Sequence, residues 1–206
     1  METGQHRSPV GTLSSAVQEG RRPFLFDFDA FERMEQAGIF SRHAGKVELI
    51  EGRICDMAPL SGDHTDVTSE LHLGLGVAVR ATPGLDLKVL TQGTLRIGDH
   101  SAPEPDIFVA RSRGGRKYYE AADAVLVIEV SVSTVEDDRR TKVPLYARAG
   151  IPELWIAEPE ARLVRIYRGP RADGSWISEI TVTEGGVSPL FAPEIRIALA
   201  DVFGGA

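Results

Sequence analysis

The chain has 206 residues, 42% apolar and 26% charged, which suits one soluble domain with a substantial core. A net charge of −7, from 23 basic and 30 acidic residues, argues against nonspecific nucleic-acid binding through the overall field, but leaves room for a local basic cleft or a bound cation. The single cysteine, Cys55, excludes an internal disulfide framework and a thiolate zinc site, and the longest strictly apolar run, AVLVI at 124–128, is far too short to cross a bilayer.

Residues 1–23 are polar, rich in glycine and serine, and contain no apolar segment of signal-peptide character. They read as a disordered tail ahead of one domain over residues 24–206, in a cytoplasmic protein. FDAFERMEQAG (28–38) predicts a helix, with Phe31 and Met34 at helical spacing and Gly38 closing it. KVELIEGRICDMA alternates on both sides of Glu51-Gly52, the pattern of a hairpin, and places Cys55 as a small packed thiol. After the loop PLSGD, HTDVTSELHLGLGVAVRA carries Val67, Leu71, Leu75 and Val79 every four residues, one stripe of a helix despite its glycines.

The period then changes. LKVLTQGTLRI, PDIFVA and AVLVIEV are strand candidates separated by glycine- and proline-marked turns. EDDRRTKVPLYARAG is helical in composition and is stopped by Gly150 and Pro152. Pro144 removes an amide donor and pushes Val143 from the α region, so the expected regular helix starts only at Pro144, with a looser turn carrying Lys142. ELWIAEP and RLVRIYR follow as strands around a Pro159-Glu160 turn, and SWISEITVTEG and EIRIAL close the chain as further strands. The order predicts a mixed α/β domain around a central sheet. The edges of its late strands suit a homodimer.

Two carboxylates stand out. Glu129 lies near the end of AVLVIEVS, a strand otherwise apolar enough to be buried, where a charge needs a partner. Asp106 follows Pro105 at the mouth of the neighbouring candidate strand. If the strands pair, the two carboxylates converge and must share a proton or a cation. With the Val130 carbonyl and waters, the natural guest is Mg²⁺ or Mn²⁺. Lys142 lies on the following helix or its entry, where it could orient an attacking water or neutralise charge on a phosphate oxygen. Asp138, four residues earlier, would share its face. RSRGGRKYY (111–119) reads either as a flexible loop that contacts phosphates and stacks a base, or as a solvated basic turn.

Each choice has a plainer alternative. Asp106 could be a turn or cap residue, Glu129 a structural ion pair with Arg139, Arg140 or Lys142, and Lys142 a solvated cation. His72, on the glycine-rich helix, reads as a packed or surface histidine. No G-x-S-x-G stretch supports a serine hydrolase. No phosphate-binding G-x-x-x-x-G-K-[ST] loop or dinucleotide fingerprint is present either.

The succession VELIEGRI, SGDH, PEPDIFVA, VLVIEVSVST, DDRRTKVPLYARAGIPELWI and EPEARLVRIYR spans residues 47–168. It resembles the PD-(D/E)XK restriction-endonuclease-like superfamily and, more closely, the bacterial Uma-two family of endonucleases. The resemblance implies a restriction-endonuclease-like α/β core, with a central mixed sheet flanked by helices and an N-terminal helix and hairpin. It implies a metal-dependent hydrolase of phosphodiester bonds acting on nucleic acid, DNA ahead of RNA, with no membrane partner. On it, Asp106 and Glu129 match the metal ligands and Lys142 the catalytic lysine. The superfamily places that lysine two residues after the acid, where this chain has Ser131. Glu48 and His64 match an acidic and a polar position near the family's site. The rival function is a degenerate nuclease fold that binds nucleic acid or a protein without cleaving.

Overall fold

The computed structural model describes residues 22–41, 46–57, 60–132 and 135–204, without the side chains of 135–139. All but the last two residues of the expected tail lie outside the described residues, as does the side chain of Asp138.

Helix α1 (Phe28–Gln36) starts where the Asp27 carboxylate accepts the Ala30 N–H at 2.7 Å. Strands β1 (Val47–Ile50) and β2 (Arg53–Asp56) form the antiparallel hairpin, with Glu48 opposite Cys55. Their two-residue turn has φ of 50° at Glu51 and 76° at Gly52, the doubly left-handed conformation that such a turn requires. Helix α2 (Gly62–Ala81) is capped by Ser61, and the predicted stripe of Val67, Leu71, Leu75 and Val79 is its buried face.

LKVLTQGTLRI does not form one strand. It breaks at Gln92, whose φ is 51°, into β3 (Lys88–Thr91) and β4 (Leu95–Arg96). β5 (Ile107–Ala110) follows, then β6 (Tyr119–Glu120), which pairs with β4 in a small parallel ribbon, and one 3-10 turn (Ala121–Asp123). β7 (Ala124–Val130) leads to α3 (Val135–Arg148). This helix begins nine residues before Pro144 and runs through it, contrary to expectation. Val143, Leu145, Tyr146 and Ala147 are all buried, and that tertiary packing outweighs the one backbone bond proline cannot make. β8 (Glu153–Glu158), β9 (Leu163–Pro170) and β10 (Trp176–Val182) come next, then the short pair β11 (Gly186–Val187) and β12 (Ile197–Ala198). EIRIAL thus supplies only two strand residues before helix α4 (Leu199–Val202), whose Leu199 and Val202 bury against the main core.

Six strands form the central sheet in the order β10-β9-β8-β7-β5-β3. β7 and β8 are parallel, joined by the α3 crossover, and the other neighbours are antiparallel. Alternate residues therefore meet two different layers. Ile107, Val109, Ile128, Trp155 and Ile166 pack with the stripe of α2 on one face. Phe108, Val127, Leu154, Ile156 and Tyr167 pack with Val143 and Tyr146 of α3 on the other. A smaller cluster of Phe28, Phe31, Val47, Leu49 and Ala102 seats α1 against the hairpin, where the Ala102 N–H donates to the Leu49 carbonyl at 2.7 Å.

Candidate active site

Because β5 and β7 run antiparallel with Ile107 opposite Ile128, one further step in register sets Asp106 opposite Glu129 at the end of the sheet. Asp106 is buried, and its Oδ2 accepts the Val130 N–H at 2.8 Å. Its Oδ1 lies 3.1 Å from His64 Nε2. His64 belongs to the first turn of α2, where the Ser61 hydroxyl accepts its N–H at 3.2 Å, and its Nδ1 is 3.4 Å from Thr68 Oγ1. The partly positive end of α2 thus faces the Asp106 carboxylate.

Glu129, only 3% exposed, is approached from the other face of the sheet. Its Oε1 accepts the Tyr146 hydroxyl at 2.6 Å and lies 3.3 Å from Lys142 Nζ. The same ammonium is 3.3 Å from Oε1 of Glu48, which also accepts the Glu104 N–H at 2.7 Å. Lys142 therefore bridges the hairpin carboxylate and the β7 carboxylate. The five residues singled out from the sequence form two sets of contacts, Glu48–Lys142–Glu129 and His64–Asp106, which lie side by side where strand register sets Asp106 opposite Glu129.

Burial pushes the Glu48 carboxyl up by more than the Lys142 charge and the Glu104 N–H pull it down. Burial, and then the charges of Glu129, Glu48 and Asp106, drive the Tyr146 phenol well above its usual range, so it remains a hydrogen-bond donor. Cys55, opposite Glu48 on the hairpin, has its thiol raised by burial and by that carboxylate, which keeps it protonated and unreactive.

Tyr146 has no counterpart among the sequence-level candidates, although it follows Lys142 by four residues and so shares its helix face. Ser131 is buried where β7 ends, its N–H donating to the Ala157 carbonyl at 2.9 Å, and the lysine beside Glu129 comes from α3. The basic loop is tied inward. Arg116 pairs with Glu120 and Asp123, Lys117 with Glu32, and Tyr118 donates to Glu32 at 2.8 Å. The Tyr118 and Tyr119 rings, which one of the two readings of this loop would have stack a base, meet Phe28 and Phe108 edge-on. His72 is half-buried on α2. Among the described residues, no group of three or more His, Cys, Asp or Glu side chains is arranged to hold a metal ion. Among the same residues, no helix is long and apolar enough to cross a membrane.

The model of the Uma2 (Uma-two) family, described as “Putative restriction endonuclease”, matches residues 28–200. The chain belongs to this family. The match runs from α1 to α4 and so takes in the hairpin, both flanking helices and every residue of the two sets of contacts. The chain is also similar to the crystal structure of “a putative nuclease belonging to DUF820” from Anabaena variabilis. That likeness has a TM-score of 0.64 at 20% identity, over 86% of this chain and 97% of that one, and it shows a shared fold. No curated protein matches the chain. For this Uma2 member, the fold thus brings Asp106 and Glu129 together by strand register, and adds Glu48, His64 and Lys142 from three other elements.

Proposed function

We propose that this Uma2 protein is a divalent-metal-dependent endonuclease that hydrolyses phosphodiester bonds in nucleic acid, DNA in preference to RNA. The observation that carries the reading is that Glu48 and Glu129, both buried, share Lys142 at the end of the sheet where strand register sets Asp106, also buried, opposite Glu129. The family's description, “Putative restriction endonuclease”, supports DNA as the substrate.

The donor set fits a hard cation such as Mg²⁺ or Mn²⁺. Such ions bind through one or two carboxylates plus waters and substrate phosphate, so they need no closed protein cage. Both oxygens of Asp106 already hold a protein partner, but a carboxylate has about four acceptor positions, which leaves capacity for a metal. The raised Glu48 carboxyl marks a site whose burial exceeds the compensation its neighbours supply, and a divalent charge would offset that.

In this reading Asp106 and Glu129 hold the ion. When bound, it polarises the scissile phosphate and lowers the pKa of a water. Lys142 orients the nucleophile or neutralises charge growing on a phosphate oxygen, from a position already fixed by two carboxylates. Glu48 or His64 completes the water network. The domain spans residues 24–206 and acts in the cytoplasm. A second copy pairs along the outer edge of β10, which carries exposed Ile177 and Ile180.

The test is cleavage of supercoiled plasmid, together with calorimetric titration of Mn²⁺, for wild type, Asp106→Asn and Glu129→Gln. Wild type should nick DNA with Mg²⁺ or Mn²⁺ and stop with chelator, and each variant should lose about a hundredfold or more in rate, ~3 kcal/mol of transition-state stabilisation. Two contacts favour a second reading. Lys142 already compensates Glu48 and Glu129, as in a structural ion pair of a non-cleaving binding module. Variants that lose stability but show no metal or cleavage effect would select that module.

A further inference from the structure

Tyr146 is fully buried, and its ring packs among Phe108, Val127, Leu154 and Ile156 on the α3 face of the sheet. A buried phenol needs a partner, and many structures satisfy it with a backbone carbonyl. Here the hydroxyl instead donates to Glu129 Oε1 at 2.6 Å, the oxygen that Lys142 Nζ approaches at 3.3 Å. One turn of α3 thus separates two donors that meet on one oxygen, one charged and one neutral.

We infer that Tyr146 is a positioning residue of the cation site, locking the Glu129 carboxylate in the orientation from which it binds a divalent ion. The inference rests on the proposed role of Asp106 and Glu129 as ligands. The neutrality of the phenol is what suits it to this place. A second lysine would hold the carboxylate equally well, but would cancel more of the negative charge that attracts the cation. The tyrosine hydroxyl restrains Glu129 and leaves the charge of the cluster unchanged. Losing a partner of this kind, which orients a ligand without touching the metal, typically costs about 10–100-fold in metal affinity.

The experiment is calorimetric titration of Mn²⁺ into full-length wild type, Tyr146→Phe and Tyr167→Phe, with circular dichroism and thermal melts with and without Mn²⁺. Tyr146→Phe removes one oxygen and keeps the ring that packs. Tyr167 is a control, a core tyrosine whose hydroxyl donates to Glu179. The expected result is a 10–100-fold loss of Mn²⁺ affinity in Tyr146→Phe, and a smaller Mn²⁺-induced rise in melting temperature, with an unchanged spectrum. Tyr167→Phe should bind as wild type does. Wild-type affinity in Tyr146→Phe, with only a lower melting temperature, would reduce Tyr146 to a structural role and overturn the inference. If wild type itself binds no Mn²⁺, the cation reading fails first and the inference falls with it.

Discussion

Glu48 is set by a contest between burial and charge. It is 4% exposed, and in the folded protein its carboxyl titrates above the ordinary value of 4.5 despite the ammonium of Lys142 at 3.3 Å. The folded state therefore keeps a proton that the unfolded chain gives up first. The stability linked to that proton is fully present below pH 4.5, and is lost as pH rises through the folded value. Glu48→Gln removes the titration. Relative to this variant, wild type should lose stability in urea unfolding as pH is raised from 4.5, then level off. A difference that grows in favour of wild type across that range would mean the Lys142 pairing, not burial, governs Glu48, and one that stays constant would mean that the two cancel. Because Glu48, Lys142, Glu129 and Tyr146 share contacts, their single substitutions will not add.

Helix α2 delivers His64 to Asp106, and its entry depends on one hydroxyl. Ser61 Oγ accepts the His64 N–H, and the Ser61 carbonyl accepts the Thr65 N–H at 3.1 Å, so the cap orients the turn that carries the histidine. Ser61→Ala should cost about 1 kcal/mol in urea unfolding, the usual loss for such a cap. No measurable change would mean that His64 and Asp106 hold the turn by themselves. Helix α3 works differently. Pro144 lies inside it and cannot make one of its backbone bonds. The helix persists because Val143, Leu145, Tyr146 and Ala147 bury against the sheet, and the same anchoring brings Lys142 and Tyr146 to Glu129.

The molecule holds its C-terminal segment onto the sheet through a different buried carboxylate. Glu153, fully buried at the start of β8, accepts the Trp155 indole N–H at 3.0 Å, Arg168 Nε at 2.8 Å and the Leu190 N–H at 2.6 Å. It joins β8, β9 and the segment between β11 and β12 at the end of β8 away from Glu129, whose register partner is Ile156. Glu153→Ala leaves a guanidinium and an indole donor without their acceptor, so unfolding free energy should fall by about 3 kcal/mol. Mn²⁺ affinity should remain at the wild-type value, because the candidate site lies at the opposite end. A parallel loss of Mn²⁺ affinity in folded protein would show that the two ends of the sheet are coupled.

The elements on this chain were legible where the signal was local. The four-residue stripe on α2, the Glu51-Gly52 turn and the apolar run of β7 each express a periodicity or a backbone preference that a short stretch carries alone. Glu129 was legible for a related reason: a carboxylate in an apolar strand is costly enough to demand a partner. The break of LKVLTQGTLRI at Gln92, the passage of α3 through Pro144 and the turn of EIRIAL into α4 were not legible. For α3 and α4, burial against distant chain outweighed local preference. The partner of Glu129 was equally beyond the local pattern, since Arg139, Arg140 and Lys142 were all within reach along the sequence. Strand register and the seating of α3 chose Lys142 and added Tyr146, because a buried charge is satisfied by whichever donors the packing of remote segments brings within a few ångströms.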